Sequence, residues 1–226
     1  MTSAIVKPTK APNLPIPTIA YSQTYTESFS NALRLYFNTL DAFTTKLGDI
    51  AGGSALSFPH IAAFDTTTQY ATASNTPTIV KWNTLDSGLG FTLDPGFYAT
   101  AEYTGFYKID YSLQFANTAN APHDVVVWLK VNNGSGFADV PGSASKITIT
   151  SRKSAGVPSY VLMYSTVPFE VNAGDQIALW WATDQAFVVS PATDGVYMEY
   201  APAQTIPYPH PSIPSAIGAI TFVSRT

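Results

Sequence analysis

Residues 104–131, TGFYKIDYSLQFANTANAPHDVVVWLKV, hold two long apolar-patterned runs joined by a short Asn/Ala/Pro connector. In the first run Tyr107, Ile109, Tyr111, Leu113 and Phe115 share one parity, while Lys108, Asp110, Ser112 and Gln114 share the other. A period of two with one apolar parity is the mark of a strand with one buried face. The second run breaks that rule. Val125, Val127, Leu129 and Val131 share a parity, but Val126 and Trp128 occupy the opposite one, so both faces are apolar. Such a strand needs a sheet partner inside its own subunit and a cover outside it. The expectation is that a second copy of the chain is the cover.

A chain of 226 residues with 46% hydrophobic and 13% aromatic residues can build one substantial β core plus an accessory segment. Only 12% of residues are charged, about half the ~25% of an average globular protein. Solvent faces built from Thr, Ser, Asn, Gln and Ala suit a surface largely covered by neighbours. The net charge of −4 offers no dense Lys/Arg patch for phosphates, so nucleic acid is not an expected partner. With no cysteine there is no disulfide framework and no Cys-based zinc site. MTSAIVKPTK has no apolar h-region of a secretory signal, and no run approaches a membrane span, so synthesis in a cytoplasm without membrane insertion is expected.

Residues 1–23 read as an extended arm, because Pro8, Pro12, Pro15 and Pro17 disfavour helix. Lys7 and Lys10 are its only charges, which suits docking on an acidic neighbour. Residues 24–53 read as a helix and a glycine joint. Thr24 fits an N-cap with Glu27 three residues on. Phe29, Leu33, Tyr36, Leu40, Phe43, Leu47 and Ile50 then recur at alternating spacings of four and three. That heptad pattern, with Leu at a and bulky residues at d, leans toward trimers or tetramers. Leu35 and Phe37 lie outside the stripe, and Gly48 and Gly52-Gly53 end it.

Residues 54–200 read as a β head. Strands are expected at 58–64, 78–84, 89–93, 97–102, 106–117, 124–132, 144–150, 158–171, 175–183, 186–190 and 195–200. Turn chemistry separates most of them, at Asn75-Thr76-Pro77, Asp86-Ser87-Gly88, Asp94-Pro95-Gly96, Asn132-Asn133-Gly134 and Asn172-Ala173-Gly174-Asp175. Many short, punctuated strands indicate an all-β sandwich or jelly roll. Residues 201–226 read as a Pro-rich strap carrying a last strand at 217–223.

Thr104-Gly105-Phe106-Tyr107 with IDYSLQF, and Phe169 to Ile177 with its Ala173-Gly174-Asp175 turn, resemble strands of the C1q-like/tumour-necrosis-factor-like jelly-roll superfamily. Several further segments are similar to C1q-like domains of bacteriophage virion proteins. They are Phe64 to Gln69, Asn75 to Thr78, His123-Asp124-Val125 with Trp128-Leu129-Lys130, Val140 to Ser145, and Pro207 to Ser215. The resemblance spans roughly residues 58–215 and leaves out the arm and helix. It implies a C1q/TNF-like jelly-roll β-sandwich assembled as a homotrimer.

Familiar chemistry is absent from the pattern. His60, His123 and His210 have no metal-ligand spacing, and Ser143-Ala144-Ser145-Lys146 matches an acylase motif only formally because it runs into KITIT. A His123–Asp124 catalytic pair is weighed and set below a structural hydrogen bond. Asn133-Gly134-Ser135 reads as a hairpin turn. Asp65, Asp86, Asp184, Asp194 and Glu199 are the acids that calcium in a trimer would draw on. The expectation is no catalytic site, no cofactor and no metal.

Taken with that resemblance, the expectation is a non-enzymatic phage virion protein, a homotrimeric fibre, knob or decoration assembled in the host cytoplasm. Residues 1–50 would attach it to capsid, portal or tail. Trimer-seam candidates are Leu33, Tyr36, Leu40, Phe43 and Leu47 in the helix, and Val126, Trp128, Trp180 and Trp181 in the head. Phe137 and Tyr160 are candidates for contact with the host surface, including its glycans. The alternatives are a carbohydrate-binding module or depolymerase, and a capsid cement protein with no receptor role.

Overall fold

The computed structural model describes residues 12–16, 19–48, 58–94, 96 and 98–225. The chain divides into a unit Met1–Ser57 and a unit Phe58–Thr226. In the first, α1 spans Gln23–Gly48. Its cap is Ser22, whose Oγ accepts the Tyr25 N–H at 3.3 Å, so Thr24 lies inside the first turn rather than at the N-cap. Glu27 does not reach back as a capping box requires, because its carboxylate accepts from Gln23 Nε2 at 2.8 Å. Phe29, Leu33, Tyr36, Leu40 and Phe43 are half-buried, and Leu35 and Phe37 are exposed. The Leu47 side chain, Ile50 and Gly52-Gly53 lie outside the described residues.

The second unit holds β1 (His60–Asp65), β2 (Gln69–Tyr70), β3 (Thr78–Ile79), β4 (Thr84–Leu89), β5 (Phe91–Asp94), β6 (Tyr98–Ala101), β7 (Gly105–Asn117) and β8 (His123–Asn132). After them come β9 (Phe137–Asp139), β10 (Ser145–Ile149), β11 (Ser159–Val171), β12 (Gln176–Thr183), β13 (Val188–Val189), β14 (Ala192–Thr193), β15 (Val196–Met198) and β16 (Ala216–Ser224). Two antiparallel sheets form a jelly-roll β-sandwich. One is built on β7, with β4, β1, β16, β15, β2 and β11; the other is built on β8 and β12, with β10, β9, β3, β6 and β5. The two motifs of the resemblance lie at a strand start and at a turn. Gly105-Phe106-Tyr107 opens β7, and Ala173-Gly174-Asp175 makes the turn between β11 and β12.

The interior follows from parity. Tyr107, Ile109, Tyr111, Leu113 and Phe115 of β7 all point inward and are buried. Facing them are Val125, Val127 and Leu129 of β8 and Ile177, Leu179 and Trp181 of β12. Phe115 and Trp181 meet between the sheets with ring centroids 5.4 Å apart.

Two expectations are corrected. Asp86-Ser87-Gly88 is not a turn but part of β4, hydrogen-bonded along β1 across a bulge at Ala62/Ala63. The reversal comes at Gly90, with φ +70°. The expected strand 78–84 stops at Ile79, after which Val80 and Trp82 enter the core outside any strand. The last strand expected at 217–223 is β16, which lies between β1 and β7 in the middle of its sheet.

β15 and β16 are in effect one strand. β11 takes one edge of β7 along its whole length, so β16 (against 106–113) and β15 (against 115–117) share the other edge. Between them Gln114 accepts from the Glu199 N–H and donates to the Ser215 carbonyl. The chain leaves the sheet after Glu199 and returns at Ser215. The excursion is tied as a hairpin by reciprocal bonds of Ala201 with Ile213 and of Gln204 with His210.

Candidate interaction surfaces

The outer face of the β8 sheet carries the second apolar parity that made β8 unusual. The chain covers that face itself. Lys130 Nζ lies 5.8 Å from the Trp128 ring centroid and 4.9 Å from that of Trp180. Asp139 on β9 holds the lysine at 3.1 Å and also accepts the Trp128 Nε1–H at 2.7 Å. Phe137 packs on Trp180 at 6.1 Å and on Tyr98 at 6.0 Å. Under this layer the outward-pointing Ala178 is buried. Lys130 holds the Asp139 carboxyl below its ordinary value by hydrogen bonding, and Trp128 assists.

Val126, Trp128 and Trp180 are half-buried within their own subunit and keep part of their surface exposed. Trp181 is excluded outright because it is fully buried between the sheets. Phe137 is a half-buried anchor and not an exposed loop tip. The signal missed in the sequence was Lys130 itself, a long cationic stem placed against a cross-strand pair of indoles.

The outer face of the β7 sheet is different. Cross-strand registers place Tyr164, Ser112, Ile217 and Phe64 in one row, and Tyr160, Ala116, Tyr197 and Tyr70 in another. Tyr160, Leu162, Tyr164 and Ile217 are 52%, 54%, 66% and 48% exposed, against an expectation of burial for such side chains in numbers. Tyr160, singled out as a host contact, therefore sits on the edge strand β11 of this face. A depression of about 220 Å³ lies in the face, lined by Phe64, Ser112, Tyr164 and Ile217 together with the carboxylates Asp86 and Asp110 among others. Beside it Glu199 meets the Tyr197 hydroxyl at 3.4 Å. Burial raises the Glu199 carboxyl above its ordinary value of 4.5, partly offset by hydrogen bonds from Tyr197 and Tyr160.

Most of the residues weighed for chemistry have structural partners. His123 Nδ1 faces Asp184 at 3.2 Å, while the Asp124 carboxylate takes Lys146 at 2.6 Å and Thr148 at 2.6 Å. The His123–Asp124 pair is thereby split. Ser143 is buried, accepting the Leu129 N–H and donating to the Val140 carbonyl. Asn132 Oδ1 accepts the N–H groups of Gly134 and Gly136, which makes the sequon a turn. Asp65 accepts from Thr67, and Asp194 pairs with Arg152 at 3.0 Å. Among the described residues no three acids, histidines or cysteines gather as a metal site.

No protein-family model matches the chain. No curated protein matches it either. Among solved structures it is similar to Eiger TNF from S. frugiperda, at 14% identity and TM-score 0.46, over 76% of this chain and 96% of that one. It is also similar to murine APRIL at pH 5.0, at 13% identity and TM-score 0.43, over 74% of this chain and 100% of that one.

Proposed function

We propose that the chain is a non-enzymatic virion structural protein, a homotrimeric fibre, knob or decoration attached to its particle through residues 1–50. The observation that carries the reading is the outer face of the β7 sheet, where Tyr160, Leu162, Tyr164 and Ile217 stand exposed in rows. Exposed apolar side chains aligned in rows, beside the Lys108–Asp110 pair and in a chain with 12% charged residues, suit a face that a partner covers. The head seam thus belongs on this face and not on Val126, Trp128, Trp180 and Trp181. A cyclic arrangement of three copies covers it with a single kind of contact. The virion setting is supported by the ordered set of motifs from Phe64 to Ser215 that resembles phage C1q-like domains.

Native mass spectrometry tests the assembly, with a species of three times 24.2 kDa expected. A chain that stays monomeric at micromolar concentration removes the reading. Gold-labelled antibody against the head, viewed on particles by electron microscopy, tests the location. Particles that lack label while free trimer is abundant would exclude a virion component. A capsid cement protein is distinguished by deletion, which would lower particle stability and leave adsorption intact.

A further inference from the structure

Glu199 stands among the side chains on which the head seam is proposed. It follows β15 directly, so its side chain shares the outer face with that of Tyr197, while Met198 between them is fully buried. The Glu199 N–H donates to the Gln114 carbonyl at 2.8 Å, and Gln114 is paired on its other side with Leu162 of β11. In the adjoining row Ala116 lies between Tyr160 and Tyr197, and Tyr197 pairs with Tyr70. A carboxyl group is thus set beside Tyr160 and Leu162, two of the exposed side chains that carry the seam reading.

The groups around it are neutral donors and rings. The Tyr197 hydroxyl donates to Glu199 Oε1 at 3.4 Å, and the Tyr160 hydroxyl also bonds the carboxyl. Among the described residues Glu199 has no ion-pair partner. β7 contributes Gln114 and Ala116, β2 contributes Tyr70, and residues 200–224 contain no Asp, Glu, Lys or Arg. Lys153 stands over the Tyr160 ring, 6.0 Å from its centroid. Elsewhere on this face Lys108 and Asp110 pair with each other on β7, while His60 and Asp86 lie on β1 and β4, beyond β16. Covering Tyr160 and Leu162 removes further water from the Glu199 carboxyl, and the neutral acid is the form that tolerates such burial.

We infer that association of the heads through the β7 sheet takes up protons at Glu199, up to one per chain, so that the trimer is tighter in acid than at neutral pH. The inference rests on the homotrimer reading and adds its control by pH. Burial already raises the carboxyl in the single chain, and the assembled chain holds the proton more firmly still. Between those two values assembly draws a proton from solvent, and the dissociation constant rises with pH. Below both values Glu199 is neutral in either state and the constant is level. Burial and the Glu199 charge raise the Tyr197 and Tyr160 hydroxyls, so both stay protonated as donors and the change belongs to the carboxyl.

Sedimentation equilibrium of the full-length protein over a dilution series, repeated from about pH 5 to about pH 8, reads the dissociation constant against pH. For the parent it is expected to rise at least about tenfold across that range, the effect of one proton over one pH unit. Glu199→Gln keeps the shape and loses the charge, and its constant is expected to stay level and close to the parent's acid value. A parent constant that does not rise, or a Glu199→Gln constant that rises as steeply, overturns the inference and leaves the trimer reading standing. The second of these results would assign the proton to His60, Asp86 or Asp110. A parent that is monomeric at every pH overturns both. A measurement that needs no variant is dilution calorimetry of the parent in two buffers of different ionisation heat. Proton release on dissociation near neutral pH is expected, and its absence overturns the inference.

Discussion

The Lys130 ammonium lies 4.9 Å from the centre of the Trp180 ring and 5.8 Å from that of its cross-strand neighbour Trp128. One charged side chain thus closes a face that two indoles would otherwise leave open to water. The β8 strand is apolar on both parities because its outer parity belongs to a second, small core within the same subunit. The proposed seam is placed on the opposite sheet for that reason.

Lys130→Ala removes the cation, its Asp139 contact and the methylene stem that covers the indoles. A loss of about 1–2 kcal/mol is expected. It would appear in urea unfolding as a lower midpoint at unchanged slope. The native mass should not change. If the assembly dissociates while the unfolding midpoint holds, the seam returns to the β8 sheet.

How far this was legible can be judged residue by residue. The inward parity of Tyr107 to Phe115 was readable because every second residue reports the same environment. The outward parity of Val126 and Trp128 was also readable, but not its cover. Lys130 acts from the same strand and Phe137 from the hairpin that follows, and apolar pattern gives no weight to a lysine. Asp86-Ser87-Gly88 has turn chemistry, yet the β1 ladder outcompetes it and Gly90 turns instead. The union of β15 and β16 on one edge of β7 was not legible, because it depends on Gln114 bonding residues on both sides of a long excursion.

Gly218 lies against the Trp82 ring so closely that an added Cβ would fall 2.7 Å from it. The ring is buried, and a small cavity of about 30 Å³ lies beside it, lined by Ile61, Leu93 and Ile109 among others. Gly218→Val pushes an indole that has little room to yield. It is expected to cost about 1–3 kcal/mol, with a shift in tryptophan emission on excitation of the folded protein. A melting temperature equal to that of the parent chain would show that the cavity absorbs the ring.

Glu199 gives the stability a pH dependence of definite sign. Burial raises its folded-state pKa above the ordinary 4.5, so between those values the folded chain holds more proton than the unfolded one. The stabilisation is complete below about pH 4.5 and is lost as pH rises through the raised value. Glu199→Gln should be more stable than the parent at neutral pH and should show no decline across that window. Urea midpoints taken between pH 4 and pH 8 check this, and parallel curves for the two proteins would contradict it. Asp139 and Asp124, held low by Lys130 and Lys146 respectively, act in the opposite sense and withdraw stability only as pH falls through their depressed values.

The helix and the arm can be separated by two changes to the full chain. Leu40 sits in the half-buried stripe with Leu33, Tyr36 and Phe43, whereas Asn13, Leu14 and Ile16 of the arm are exposed. If the stripe is a trimer seam, Leu40→Asp brings three carboxylates together at one level of an apolar core. The mutual repulsion and desolvation should weaken assembly by at least about tenfold. Removal of residues 1–20 takes away no seam residue and should leave the mass unchanged. Analytical ultracentrifugation over a dilution series reads both. Assembly that survives Leu40→Asp at all concentrations, but fails when the arm is removed, would place the N-terminal contact between copies in the proline segment instead.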